Sequence, residues 1–477
     1  MSRHTHLTAW FPVFASANAF DTDNRAWVPE VWAQESLMVL EENLVYANMV
    51  HRDFEDEIKE FGDVVNTRQP GKFTARRKTD GNPIVKQPAT ATKVAVPLDQ
   101  HMHTSFIIYD GELSKSMKDL VAEYLNPAIH SLARQIDAIV DAQKYQFLGN
   151  TVGDLETAPT KTEVIALQTK MNQQIIPPDG RWCVITTNTQ GDLLGEQQFT
   201  DADKFGDDGS AIREGSIGRL YGTNFVMSQN NKNIPTGNTV VTGAINAGNL
   251  TVGSTVLTVD GLSAVITDGS WCTIAGDMNP QMIESTAGGT TPVTLNIKPG
   301  LVQAIVDDAV VTIYTPGAID LAAGYAAKYD ELIVVDAFTV AHNQGQLVTL
   351  SATETDAKYG SLDMGKDAAN VVIPRTTNLT VDRPLVAAVA NNDVVGIGPM
   401  GNYNFAFHRN AIALVNRPLA TVPPDMGARS AVVNFNNLSL RATLSYDAEN
   451  QGILVTIDTL LGVKVLDTDL GCVFLAL

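Results

Sequence analysis

The residue types that most often carry chemistry are all present in this chain, and their spacing fits none of the usual reactions. His101 and His103 are two apart, so on a strand they share one face, as a metal pair would. No third ligand stands at a matching distance, and the pair reads as solvent-facing or inter-subunit. Arg3, His4 and His6 read as a polar start. Asp201, Asp203, Asp207 and Asp208 are acidic enough for calcium, but they lack the regular ligand spacing of a calcium loop and read as a solvated loop. Gly396, Gly398 and Gly401 spell a literal GxGxxG. A dinucleotide site needs a strand before that motif and a helix opening at its third glycine. Here Pro399 lies inside, and Asn402–Phe405 has strand character, so the motif reads as a turn. Cys183, Cys272 and Cys472 are far apart and odd in number. That argues against a disulfide framework or a structural zinc, and for a reducing compartment. Cys183 falls in an apolar strand and reads as core. There is no P-loop, HExxH or GxSxG. No catalytic residue, cofactor or metal is expected.

Charge carries more information. From Asp53 to Asp63 the chain is acidic: Asp53, Glu55, Asp56, Glu57, Glu60 and Asp63 stand against Lys59 alone. From Arg68 to Lys93 the sign inverts: Arg68, Lys72, Arg76, Arg77, Lys78, Lys86 and Lys93 stand against Asp80 alone. The basic stretch carries Pro70, Gly71, Gly81, Pro83 and Pro88 and has too few apolar residues to build a core. It predicts a long two-stranded arm. The whole chain has 33 Lys and Arg against 53 Asp and Glu, a net charge of -20. That balance opposes a nucleic-acid role, because generic affinity for phosphates comes from an excess of basic residues. The arm is therefore expected to rest on an acidic protein surface, the nearest being another copy of the chain. Its contact residues would be Arg68, Lys72, Arg76, Arg77, Lys78, Lys86 and Lys93, and its counter-surface Asp53, Glu55, Asp56, Glu57 and Glu60.

The elements that must position this arm follow from length and periodicity. At 477 residues and 44% hydrophobic, the chain is folded and divides into several domains. The first 20 residues imitate a short secretion signal, but Pro12 and Thr8 break the apolar patch, and the segment is expected to be retained. No apolar run approaches the ~20 residues that span a bilayer. Residues 1–30 read as an extended arm, and 30–53 as a helix. Leu113–Tyr124 and Leu125–Val140 form successive apolar stripes, with Asn126 as N-cap and Pro127 in the first turn of a helix reaching Leu148, about 33 Å long. Helices are also predicted over Thr162–Ile176, Gln190–Phe199 and Ala318–Asp330. From Asn233 to Pro399 the chain turns rich in Gly, Thr, Val and Asn. Short alternating runs there (Ser254–Val259, Ser270–Ala275, Pro292–Ile297, Ala309–Tyr314) predict a small β-barrel or sandwich. Residues 331–399 form a second β module or the other half of the first. Strands return at Asn404–Val415 and run through Leu438–Leu477.

Several stretches, taken together, resemble one known family. They are VPEVWAQESLMVLEENLVYANMVHRDFEDEIKEFGDVV (28–65), PPDGRWCVITTNTQGDLL (177–194), AIREGSIGRLYGTNFVMSQN (211–230), LTVDG with GSWCTIAGD (257–277), FAFHRNAIALVNRPL (405–419) and TLLGVKVLDTDLGCVFLA (459–476). With the element order, they resemble the major capsid (coat) protein of tailed bacteriophages, in particular the short-tailed Salmonella phage coat subfamily with an extra insertion domain. The resemblance implies an α+β, Hong Kong 97-type fold. Its parts would be an N-terminal arm and helix (1–60), an extended loop (61–110), the spine helix of a peripheral domain (111–150), an axial domain (151–232 and 400–425), an inserted β-rich domain (233–399) and peripheral strands (426–477). It implies self-assembly as pentamers and hexamers, with scaffolding, portal and possibly cement proteins as partners, packaged DNA touched only non-specifically, and no membrane. Assembly would occur in the host bacterial cytoplasm, and the net charge of -20 would suit a wall that encloses DNA without binding it. The lysine-to-asparagine link that joins subunits in some members of the wider family has no matching residue set by sequence. Another virion protein (decoration or tail tube) and a secreted β-rich enzyme or adhesin remain as alternatives.

Overall fold

The computed structural model describes residues 33–34, 36–40, 44–52, 64–69, 75–78, 84, 86–87, 92–110, 124–196, 215, 217–231, 240–288, 292–314, 316–319, 324, 333–336, 346–350, 354–360, 378–379, 381, 385, 387–423, 427–435 and 438–477. The expected arm at 1–30, the stripe from Leu113 to Val121 and the acidic loop at Asp201–Asp208 lie outside these residues.

The long strand Gly452–Val465 is the axis of one antiparallel sheet. On one flank it pairs with Gln100–Tyr109, from Gly452 against Tyr109 to Leu461 against Gln100. Its other flank is shared: Leu438–Asp447 takes the first half and Ile412–Arg417 the second, and Ala428–Phe435 extends the sheet beyond Leu438–Asp447. At the seam, Asn416 Nδ2 donates to Thr459 Oγ1 at 2.9 Å, and Ser439 Oγ donates to Asn416 Oδ1. Leu440, Leu444, Val455 and Ile457 alternate onto one face and bury against the helix Asn126–Asp141, whose Ile129, Leu132, Ile136 and Ile139 recur at helical spacing. Each such side chain contributes roughly 1.5–3 kcal/mol of burial.

Two details of this spine helix differ from expectation. Asn126 does not cap it, because Leu125 before it is already helical (φ -69°, ψ -50°) and Tyr124–Leu125 form a π turn. The wider turn accommodates Pro127, which supplies no N–H and whose ring crowds the preceding carbonyl. The helix also tightens to a 3-10 form over Ala142–Phe147. There Asp141 and Lys144, three apart, bond directly at 2.8 Å, a spacing that three residues per turn brings into line.

A second, mixed sheet has the order 151–153, 471–476, 402–408, 181–185, 223–227, 218–220. Its central strands 471–476, 402–408 and 181–185 are buried almost throughout. Tyr403, Phe405, Phe407, Val473 and Leu475 face the spine. Cys183, Ile185, Ala406, Cys472 and Phe474 face the helix Lys161–Gln173 through Val164, Leu167 and Met171. That helix starts in a capping box formed by Thr160 and Glu163. The next helix runs over Thr187–Gly195, capped by Thr186, three residues earlier than periodicity indicated, because the cap hydroxyl and not the first apolar residue sets its start.

The strands therefore divide differently from the expected domain limits. Gln100–Tyr109, assigned to the extended loop, belongs to the body sheet. Ile412–Arg417, assigned to the axial return, pairs in that same sheet, and Gly471–Ala476, assigned to the peripheral strands, crosses into the mixed one. Short 3-10 corners at Arg409–Ala411 and Thr468–Leu470 carry the chain between sheets. Apolar alternation alone does not distinguish a corner from a continued strand.

Residues 240–314 form a closed six-stranded barrel with its own core, including Leu257, Val259, Ile274, Ile283, Leu295, Ile297, Val311 and Ile313. Among the described residues between 317 and 397, six strands form a separate sheet around Ile319, Val348, Leu350, Val395 and Ile397. The helix expected from Ala318 is not formed at its start: Gly317–Ile319 is a strand held between Ile333–Asp336 and Val394–Ile397. Ladder partners on both sides override local preference there. The chain leaves the mixed sheet at Met227 and returns at Asn402. These positions flank Arg181–Ile185 at the same end, two strand spacings apart and offset by two residues, or about 12 Å.

Candidate assembly surfaces

The basic arm is rooted by apolar residues. Val64–Gln69 pairs with Thr92–Pro97, from Val64 against Pro97 to Gln69 against Thr92, so Arg68 lies opposite Lys93. Val65 and Val96 are buried on Ala413 and Val415 of the body sheet, with Leu98 and Leu466 at the margin. His51, just before the acidic run, is tied to the same strand: its N–H donates to the Ile412 carbonyl at 3.1 Å and its carbonyl accepts from the Leu414 N–H at 3.0 Å. Beyond the root, Arg76, Arg77, Lys78, Lys86 and Lys93 are exposed. Lys72 lies outside the described residues, as do all five acidic counter-surface candidates, Asp53, Glu55, Asp56, Glu57 and Glu60.

His101 and His103 share the exposed face of Gln100–Tyr109. His101 Nε2 lies 3.1 Å from Asp458 Oδ2, and Arg441 grips the same carboxylate through Nε (3.0 Å to Oδ1) and Nη2. Asp458 is buried, so this cross-strand trio is a fixed structural node. Among the described residues no three His, Cys, Asp or Glu side chains come together as a metal site, and no helix is long and apolar enough to cross a membrane.

All three cysteines are buried. Burial pushes the Cys272 and Cys472 thiols up to about 12, and Cys183 higher, so none is a thiolate near neutral pH. Cys183 and Cys472 flank Ala406 on adjacent strands, about 10 Å apart and out of disulfide reach. The GxGxxG is half strand and half turn. Its Gly396 allows close approach: a Cβ there would stand 2.1 Å from the Gly269 carbonyl oxygen.

Sequence reasoning missed a buried polar node on the spine. Asp137 Oδ2 accepts from the Val45 N–H at 2.9 Å, and Oδ1 from the Tyr46 N–H at 3.1 Å and the Ala47 N–H at 3.4 Å. It thereby caps the short helix Tyr46–Met49. Asn230 Nδ2 reaches the same carboxylate at 3.4 Å. One turn on, Asp141 accepts from the Tyr46 hydroxyl and from Lys144 Nζ, and Lys144 Nζ also donates to Asn231 Oδ1 at 2.7 Å. Desolvation raises the Asp137 pKa to about 6, against the hydrogen bonds that favour its ionised form. It also raises Asp141 and lowers Lys144, each partly offset by the other's charge. The signal was present: Asp137, Asp141 and Lys144 fall at four- and three-residue spacing inside an otherwise apolar stripe. The node ties together the N-terminal segment, the spine and the turn where the chain leaves the mixed sheet.

No protein-family profile matches the chain, and no curated protein sequence matches it. Solved structures do. A chain of Mycobacterium phage Che8 is similar at 13% identity, with 90% of each chain covered and a TM-score of 0.41. A chain from the capsid of cyanophage P-SCSP1u is similar at 12% identity, covering 87% of this chain and 84% of that one, with a TM-score of 0.40. A chain from the capsid asymmetric unit of cyanophage Pam1 is similar at 9% identity, covering 90% and 92%, with a TM-score of 0.38.

Proposed function

We propose that this chain is the major capsid protein of a tailed double-stranded DNA phage, with a Hong Kong 97-type fold, and that it closes as pentamers and hexamers into an icosahedral head. The observation that carries this reading is the arm. A hairpin rooted by apolar residues on Ala413 and Val415 continues into the exposed basic residues Arg76, Arg77 and Lys78, a charge pattern suited to an acidic surface on a neighbouring copy. The six quoted sequence stretches, the helix Asn126–Asp141 laid across an antiparallel sheet, and the excursion between Met227 and Asn402 support the same reading. In it, residues 233–399 are an insertion, a separate scaffolding protein guides assembly in the bacterial cytoplasm, a portal and possibly cement proteins join the head, and the genome is touched only non-specifically. The work of the protein is geometric: rigid sheets fix the subunit, and the arm reaches its neighbour. Electron microscopy of the expressed protein tests it. Closed shells or polyheads are expected, and monomers or small rings under all assembly conditions overturn it.

A further inference from the structure

We propose that Lys144 and Asn231 react within one chain to form an isopeptide bond, with Asp141 as the proton carrier. Lys144 Nζ donates to Asn231 Oδ1 at 2.7 Å and to Asp141 Oδ2 at 2.8 Å, and the amide carbon Cγ lies one covalent bond beyond the accepting Oδ1. All three residues are out of water: Lys144 is 1% exposed, Asp141 0% and Asn231 2%. The amide nitrogen that would depart, Asn231 Nδ2, is buried and has no hydrogen-bond partner among the described residues. An unpaired buried donor costs about 1–3 kcal/mol. Its loss as ammonia removes that cost. The Tyr46 hydroxyl, donating to Asp141 Oδ1, fixes the carboxyl in place.

The chemistry balances without any oxidant, reductant or co-reactant. Proton transfer from the Lys144 ammonium to the Asp141 carboxylate leaves a neutral amine beside a carboxylic acid. Burial favours this exchange by disfavouring both charges, the direction in which it moves the two groups. The acid polarises the Asn231 carbonyl, and Nζ attacks Cγ to form the new C–N bond. A proton from Nζ passes through Asp141 to Nδ2, the Cγ–Nδ2 bond breaks, and ammonia leaves. Holding the three groups in contact replaces a bimolecular encounter with a positioned one. The product would lock the 3-10 end of the spine to the turn after Met227, at the base of the excursion that returns at Asn402. This bond lies inside one subunit and stands whether or not the chain builds a shell.

The test is the mass of the full-length protein under denaturing conditions, with tryptic mapping. The expected result is a chain lighter by one ammonia than its sequence, no tryptic cleavage after Lys144, and a branched peptide joining the Lys144 and Asn231 fragments. Lys144→Arg, Asp141→Asn and Asn231→Ala should each restore the sequence mass. Full sequence mass in fresh, aged and assembled wild-type protein overturns the proposal. So does an ammonia loss without the branched peptide, as a succinimide would give. The wild-type measurement decides the matter even if a variant fails to fold.

Discussion

Asp137 Oδ1 accepts the backbone N–H of Tyr46 at 3.1 Å, so the helix at Tyr46–Met49 is capped by a residue 91 positions away. Short helices rarely hold in isolation, and this one has no side-chain cap of its own. Its placement depends on the spine. Removing a cap typically costs about 1 kcal/mol, and leaving several buried N–H groups unpaired costs more.

The same carboxyl makes stability depend on pH. Its pKa is raised from 3.8 to about 6 in the folded chain, mainly by burial. Between those values the folded state binds more protons than the unfolded state, so this group's contribution falls as pH rises through that window and is level on either side. The full shift corresponds to roughly 3 kcal/mol. Asp141, His130 and Arg134 on the same helix and Lys144 just beyond it are further ionisable side chains close to this node, so the useful quantity is the difference between wild type and Asp137→Asn in denaturant unfolding. That difference should fall steadily from about pH 4 to 6. A difference that stays flat across the window sinks the assignment to Asp137.

Changing Arg76, Arg77 and Lys78 together to Glu should block assembly and leave the monomer's unfolding transition within about 0.5 kcal/mol of wild type, because these side chains are exposed. Single exposed pairs contribute only ~0.2–1 kcal/mol, so the triple change is needed. Sedimentation and circular dichroism read the two effects separately. Normal shells from the triple variant would refute a docking role for the arm tip.

Arg441 and Asp458 offer a sharper energetic test. Asp458 is buried on the sheet and held by Arg441 and His101. Arg441→Ala leaves a buried carboxylate with the exposed His101 as its remaining ionic partner among the described residues, and should destabilise by about 3 kcal/mol. Arg441→Leu combined with Asp458→Leu should cost less than Arg441→Ala alone, because no orphan charge remains. A double variant that is worse than the single one would show that the pair, not the uncompensated charge, sets the cost.

The legible parts of this fold were those with local periodicity. The runs Ser254–Val259, Ser270–Ala275, Pro292–Ile297 and Ala309–Tyr314 each contain a strand of the barrel, because alternation reports one buried face. Closure of that sheet, which depends on pairing between 240–245 and 310–314, is a long-range contact with no local signature. The spine was visible from its apolar stripe, but its end was not, since the 3-10 turn goes with a specific Asp141–Lys144 pair. The asparagine half of the polar node was hidden for a similar reason: Asn230 and Asn231 look like ordinary turn residues until the fold sets them beside Asp137 and Lys144. Pro127 does lie in the first turn of Asn126–Asp141, as its fixed backbone angle suggests, but Asn126 is not the cap, because the π turn at Tyr124–Leu125 precedes it.

The barrel itself should fold alone. Its sheet is closed, so it has no free edge, and its core is separate from the main one. Trp271 shows how it docks. On its strand, Cys272 and Ile274 point into the barrel, while Trp271 points out, opposite Met282 and Tyr314 on the neighbouring strands. Outside, Trp271 Nε1 donates to Thr349 Oγ1 at 3.1 Å, and Trp271 and Met282 join the main core with Leu347. Residues 236–316 expressed alone should therefore unfold cooperatively, with Trp271, the only tryptophan in that segment, fluorescing to the red of its position in the full chain. Trp271→Ala should cost about 3–5 kcal/mol in the full chain, where it empties a packed contact, and far less in the fragment, where the same side chain is exposed. Equal costs in the two contexts would mean that Trp271 supports the barrel itself. A fragment that unfolds without cooperativity would mean that the barrel depends on the rest of the chain.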